Sequence, residues 1–310
     1  MERYRRLGLA LLCLLLLAAA GCGDGKTDQP PATAVTIIET APQTESAAPE
    51  VTPAPTPEPD MLFEEDGDIY FSEAYQAEFT AGTWTFDHAP RVLIYHTHAR
   101  EAFRAEEPAA GIPFPGRKNG TETPSPTASG TRSTDNTENV VYLGTMLDSA
   151  LTGLGFQVTH DTSDVEDPTL STAYERSRQV MEKYPDIDIY IDLHRNAASG
   201  EKAKNDVVLL DGVRTARMFF VVGTGLKAGD GSGETDNWRE NYAFALSLTE
   251  RLRQVNGTLC KDIRVKQKVY NQDKGLCLLA EIGHNVNLLT DAVHTIPYLA
   301  AALKAVCVFG

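Results

Sequence analysis

Sulfur is scarce in this chain of 310 residues: it has five cysteines, and no two are spaced as C-x-x-C. That spacing would have suggested a metal knuckle or a redox pair. Beyond Cys22 only Cys260, Cys277 and Cys307 remain, an odd number. Cys277 and Cys307 lie in apolar runs and are expected as small buried residues, with no Cys260–Cys277 bridge. Basic residues are also few, 28 Lys and Arg against 43 Asp and Glu, for a formal charge of −15. Nucleic acid is thereby excluded as a partner, because neutralising phosphates needs a basic face. Apolar runs long enough to span a bilayer are missing too. The nearest, Leu7–Ala20, falls short of the usual length and gives way at once to polar residues.

That run follows Arg3, Arg5 and Arg6 and ends Ala19-Ala20-Gly21-Cys22, so residues 1–22 have the form of an export signal. The small residues before Cys22 resemble a lipobox, the bacterial signal at which the cysteine is lipidated and becomes the new N-terminus. Alanine occupies the third position before the cysteine, where leucine is usual. The expected location is extracytoplasmic, anchored to the outer face of the cytoplasmic membrane. Residues 23–60 are dense in Pro, Thr, Ala and Glu and lack an apolar period. Such a segment cannot bury enough surface to offset its ordering entropy, so it reads as a semi-extended tether. A tether on a lipid anchor implies a target away from the membrane, and the cell wall is the obvious one.

Residues 61–90 read as a small β-rich segment at the edge of a domain covering 91–310. From Arg91 onward, strands alternate with amphipathic helices. Apolar runs predict strands at 92–95, 156–159, 187–193, 207–210, 218–222 and 276–282. Helices are expected from the 133–138 capping cluster through Leu154, then at 173–183, 237–255 and 288–307. Interleaving of this kind requires crossovers, hence an α/β fold with a mostly parallel sheet flanked by helices. Residues 104–134 form a long Gly/Pro/Ser/Thr-rich excursion, a length that in compact domains usually serves function or stays disordered.

Chemistry gathers where three of the strands end. The first runs into His96-Thr-His98 with Glu101, the second into His194-Arg195 and the third into Glu281. Parallel strands deliver their carboxyl ends to one crevice. The H-x-x-E spacing of His98 and Glu101 lets one turn aim both at an ion, and Zn²⁺ accepts this mixture of nitrogen and carboxylate. Two histidines and a carboxylate leave a coordination place open for water, which the metal acidifies. A carboxylate off the metal must then carry the proton. Glu281, emerging from Leu278-Leu279-Ala280, suits that role because burial raises its pKa. Arg195 is a candidate clamp for a substrate carboxylate. His160 and His284 are expected to be structural or solvent-facing.

Ile94-Tyr-His-Thr-His98 with Glu101, Thr134-Asp-Asn136 with Asn139-Val-Val141, Asp192-Leu-His-Arg195, Tyr270-Asn-Gln272 and Glu281-Ile-Gly283 with Asn287 resemble stage II sporulation protein P. The likeness covers about residues 90–307. It implies a zinc-dependent peptidoglycan hydrolase, an N-acetylmuramoyl-L-alanine amidase also credited with endopeptidase activity. It further implies a role in septal wall thinning and engulfment, with stage II sporulation proteins D and M as partners. The implied fold is the phosphorylase/hydrolase-like α/β sandwich of zinc amidases and carboxypeptidases. By resemblance, His194 is a metal ligand and Glu281 the catalytic glutamate. His98 fits the first ligand better than His96. For the second ligand Asp135 is favoured, with Glu101 as the alternative. Asn196, His284 and the lipobox depart from the family pattern, and the lipobox would also suit a paralogue without a sporulation role. A rival reading is a non-catalytic envelope lipoprotein that binds wall peptides or a partner protein.

Overall fold

In order along the chain the elements are β1 (Met61–Phe63), β2 (Asp68–Phe71), α1 (Glu73–Gln76), β3 (Trp84–Thr85), β4 (Arg91–Tyr95), α2 (Val140–Gly153) and β5 (Gln157–His160). There follow α3 (Ala173–Lys183), β6 (Ile189–Asn196), β7 (Val207–Leu210), β8 (Val213–Ala216), β9 (Met218–Gly223) and α4 (Trp238–Val255). The chain closes with β10 (Arg264–Lys266), β11 (Leu276–His284), α5 (Leu289–Val293), α6 (Ile296–Val306) and β12 (Cys307–Val308). This computed structural model describes residues 60–104, 132–166, 170–197, 206–227 and 233–310. Contacts gather Thr56–Gly310 into one unit, and Met1–Pro55 lies outside the described residues. The expected export signal, Cys22, the tether and most of the 104–134 excursion therefore fall outside them as well.

Eight strands form one sheet in the order β1-β2-β10-β9-β11-β6-β4-β5. The β11–β6, β6–β4, β4–β5 and β10–β9 pairs are parallel. The β11–β9 pair and the two at the β1 edge are antiparallel. The large, mostly parallel sheet read from the sequence is thus present. The 61–90 segment adds β1 and β2 to its edge.

Strand alternation divides the core by face. On one side Ile94, Ile191, Leu193, Leu278 and Phe220 pack with Leu143, Trp238, Phe244 and Leu303 of α2, α4 and α6. On the other side Leu93, Tyr95, Tyr190 and Cys277 meet Val180 and Met181 of α3. Farther across this second face, Phe219, Val221 and Leu279 form a small buried cluster with Tyr270 packed against it. Cys260, Cys277 and Cys307 are buried free thiols. Burial pushes them up, to about 11 for Cys260 and about 12 for the other two.

Four local expectations need correction. The 288–307 helix is two, α5 and α6, because Pro297 lacks an amide proton and opens a new first turn instead of continuing the old one. The helix after the capping cluster takes Asn139 as its N-cap, whose side chain accepts from Val141 N at 2.9 Å. Leu154 is its half-exposed C-cap and not part of its buried face. Strands β8 and β10 had no sequence signal, since Val213-Arg-Thr-Ala and Arg264-Val-Lys carry too little apolar content.

Candidate metal centre

Strands β4, β6 and β11 are neighbours and parallel, so their carboxyl ends share one edge of the sheet. Period two along β6 puts Asp192 and His194 on one face, and Glu281 is the register partner of His194 on β11. β4 ends at Tyr95, and the next residue, His96, turns to the opposite face. Its Nδ1 lies 2.9 Å from Leu193 O and its Nε2 2.9 Å from His160 Nε2. Gly144 of α2 backs this pair so closely that a Cβ there would lie 2.4 Å from His160 Nε2. His96 and His160 are therefore structural partners under α2, and His98 is the histidine that the first tip presents.

His98 begins a turn closed by Glu101 N donating to His98 O at 3.1 Å. The H-x-x-E spacing so becomes a single local unit. Glu101 Oε1 lies 3.6 Å from His98 Nδ1, and its Oε2 lies 3.3 Å from His194 Nδ1. The two imidazoles stand nearly perpendicular, 85° apart, with centroids 5.0 Å from each other. Each of His98, Glu101 and His194 offers a donor atom, and the three atoms lie within 4.8 Å of one another. Among the described residues this is the grouping able to hold a metal ion.

Asp135 stands apart from it. Its Oδ1 accepts from Thr137 N at 2.9 Å and Thr137 Oγ1 at 2.7 Å, the local turn that short acidic side chains form ahead of a helix. Of the two carboxylates weighed from the sequence, Glu101 is the one that lies with His98 and His194. Arg195 also differs from expectation. It is buried, with Nε donating to Ala102 O at 2.9 Å and Nη1 to Asn196 O at 3.2 Å. Its backbone N donates to Glu101 Oε2 at 3.0 Å. The residue braces the Glu101 turn against β6, so it is not an open clamp.

Asp192 was missed as a site residue, although the D-x-H alternation within an apolar strand was its signal. Thr97 N and Oγ1 donate to its two carboxylate oxygens at 2.8 and 2.6 Å. Held in this way, Asp192 Oδ1 stands 2.8 Å from His194 Nε2, an ion-pair contact outside hydrogen-bond angle. A carboxylate on the far nitrogen fixes an imidazole's orientation and raises its basicity. Burial opposes a charge on His194, yet Asp192 and Glu101 hold its pKa well above the usual value. Burial likewise opposes ionisation of Glu101, and the two histidines overcome it, keeping the carboxylate ionised.

Glu281 behaves in the opposite way. Burial pushes its pKa up to about 7 against the pull of His194, Glu101 adds to the rise, and Arg195 and Arg264 act against it. Its Oε2 is buried without a hydrogen-bond partner. Tyr174 of α3 closes one side of the site, its ring centroid 5.7 Å from that of His98 and 5.4 Å from that of Tyr270. Tyr270 and Asn271 both have positive φ, 53° and 59°. Asn271 Nδ2 donates to Tyr174 O at 2.7 Å and to Ser177 Oγ at 2.9 Å. Hydrogen bonding around a strained loop is what keeps it in place; Tyr270 entered the sequence reading only as part of the family resemblance, and Tyr174 not at all. The donor set suits a divalent cation. Two imidazoles and an ionised carboxylate converge, a second carboxylate backs one ring, and an orphaned carboxyl lies alongside.

A mixed α/β domain with a His-Glu-His metal-type site at its parallel strand tips is the class that fold and site define. Residues 26–304 match the family described as stage II sporulation protein P, and the chain belongs to that family. Similar solved structures include the catalytic domain of CD27L endolysin targeting Clostridia Difficile. It is 11% identical with TM-score 0.41, covering 71% of this chain and 99% of that one. Another is the N-acetylmuramyl-L-alanine amidase Ami1 from Mycobacterium smegmatis, at 13% identity and TM-score 0.38, covering 70% of this chain and 94% of that one. The apo form of Ami1 from Mycobacterium abscessus matches at 12% identity and TM-score 0.37, covering 70% and 96%. The comparison with curated proteins returns no match.

Proposed function

We propose that this protein is a zinc-dependent peptidoglycan hydrolase. It cleaves the amide between the glycan's lactyl group and the L-alanine of the stem peptide. His98, Glu101 and His194 would hold the metal, as the ligand-type residues of the site that converge. The observation that carries the reading is Glu281: a half-buried residue whose Oε2 is buried and unpartnered, in register with His194 yet outside the ligand group. Zinc bound there would supply a Lewis acid for the carbonyl and acidify the attacking water.

The chain's own residues do the rest. With a pKa near 7, Glu281 accepts one proton from the attacking water at neutral pH and returns it to the departing nitrogen. Hydroxide ends on the carbonyl carbon, the C–N bond breaks and the amine leaves, so one water is added overall. Asp192, pinned by Thr97, keeps His194 oriented throughout.

Family membership supports a role in septal wall thinning and engulfment, with stage II sporulation proteins D and M as partners. A phosphorylase/hydrolase-like fold, as in zinc amidases and carboxypeptidases, belongs to the same reading. So does an extracytoplasmic location, with Cys22 lipidated and residues 23–60 as the tether to the wall. Zinc content of the purified full chain, measured together with chelator-sensitive release of peptides from sacculi, tests the reading. One bound zinc and release that EDTA stops are expected. Absence of both would overturn it in favour of a non-catalytic envelope lipoprotein.

A further inference from the structure

The site face continues beyond Glu281 onto β9 and β10. Phe219 on β9 is the register partner of Glu281, and Val221 two residues on pairs with Arg264 of β10. Arg264 therefore lies on the same face, and its guanidinium carbon sits 4.6 Å from the centroid of the Phe219 ring. Stacking of this kind holds the planar group while leaving its N–H fork free to donate. Arg264 is exposed. The other cations nearby are committed: Lys261 pairs with Asp206, and Lys266 on the same strand pairs with Asp68. Among the described residues no carboxylate stands within ion-pair distance of Arg264, whose charge acts on Glu281 from farther off. In a chain of net charge −15, an exposed arginine seated over the Phe219 ring on the face that carries Glu281 is a candidate anion site.

We propose that Arg264, seated on Phe219, is the subsite for a free carboxylate of the substrate's peptide. The assignment rests on the hydrolase reading above and names the substrate class that the site prefers: stems with an anionic group near the cleaved amide. One to two strand spacings, roughly 5–10 Å, separate Glu281 from this subsite. Extended peptide advances about 3.3–3.6 Å per residue, so the carboxylate belongs about two to three residues from the scissile bond. This is the role expected of Arg195, moved to the guanidinium that the fold leaves available.

The test uses two synthetic muramoyl peptides that differ only in whether the stem carboxylates are free or converted to primary amides. Wild type should prefer the acid form about tenfold to a hundredfold in kcat/KM, through KM, as a charge-assisted pair predicts. Arg264→Ala and Arg264→Gln should bring that preference close to one, and Arg264→Lys should restore part of it. Calorimetry with the Glu281→Gln chain and the same peptides reads binding without turnover. A Kd difference that vanishes on adding Arg264→Ala supports the subsite even if wild type hydrolyses neither peptide, in which case only the hydrolase reading falls. Hydrolysis with an acid-to-amide ratio that Arg264→Ala leaves intact, or no Kd difference, overturns the subsite.

Discussion

The two faces of the sheet are made from the same strands and do opposite things. Toward α2, α4 and α6, β4, β6 and β11 contribute Ile94, Leu193 and Ala280, and close packing leaves no room for chemistry. Toward α3 and beyond, neighbouring residues of the same strands contribute Tyr95, Asp192, His194 and Glu281. There, polar groups are held by few partners or none. The histidines repeat the contrast: His96 is locked to Leu193 O and His160 on the packed side, whereas His98 faces Glu101 on the other. Both faces carry apolar packing, but the ligand-type residues at the strand tips lie on the α3 face, a shift of one residue from the larger core.

Glu281→Gln should cut deepest. Release of wall peptides is expected to fall by at least about 10²–10⁴-fold, the usual weight of a general acid–base. Zinc content and Tm should hold, because a neutral amide replaces a carboxyl that burial already disfavours as a charge. Retained release would remove Glu281 from the chemistry. Phe220→Ala on the packed face should show the reverse pattern. The side chain is fully buried, so its loss should cost about 3–5 kcal/mol by thermal or urea unfolding. The activity of each folded molecule should stay the same. A variant that kept its stability and lost turnover would break the division between the faces.

Asp192→Asn sharpens the comparison more finely. Loss of the carboxylate that orients His194 should weaken zinc binding about 10–100-fold, measured by competition with a chelator of known affinity. Unchanged affinity would make Asp192 a packing residue. The smallest effect is expected at the opposite end of β6. Burial opposes ionisation of Asp188, but Arg91 and His88 together bring its pKa down to about 2. A carboxylate with a depressed folded pKa stabilises fully above its unfolded value, about 3.9, and loses that contribution as pH falls through about 2. Asp188→Asn should therefore lower stability at pH 7 by about 1 kcal/mol or less since the group is screened, read as a small fall in Tm, with the difference gone near pH 2. A Tm gap that persisted at pH 2 would rule out the ion pair as its source.

Much of this was legible without coordinates. Apolar runs marked β4, β6, β9 and β11, and each reactive tip was visible because ligand-type residues followed an apolar strand. The short strands β8 and β10 were not legible, since their stability comes from neighbours and not from their own composition. Arg195 carried no sign that Ala102 O and Asn196 O would engage it, because those bonds depend on where the Glu101 turn docks.

Sequence alone determined the alternation of strands and helices and the ligand-type residues, His98, His194 and Glu281, that follow or end the apolar strands. Local patterning suffices for that, because period and composition are properties of neighbouring residues. Only the tertiary structure brought His98 and Glu101 together with His194, turned His96 to the opposite face, and left Arg264 exposed while burying Arg195. Each outcome depends on which way the chain turns once a strand ends, and on partners such as Glu101 and His194 that meet only when β4 and β6 align.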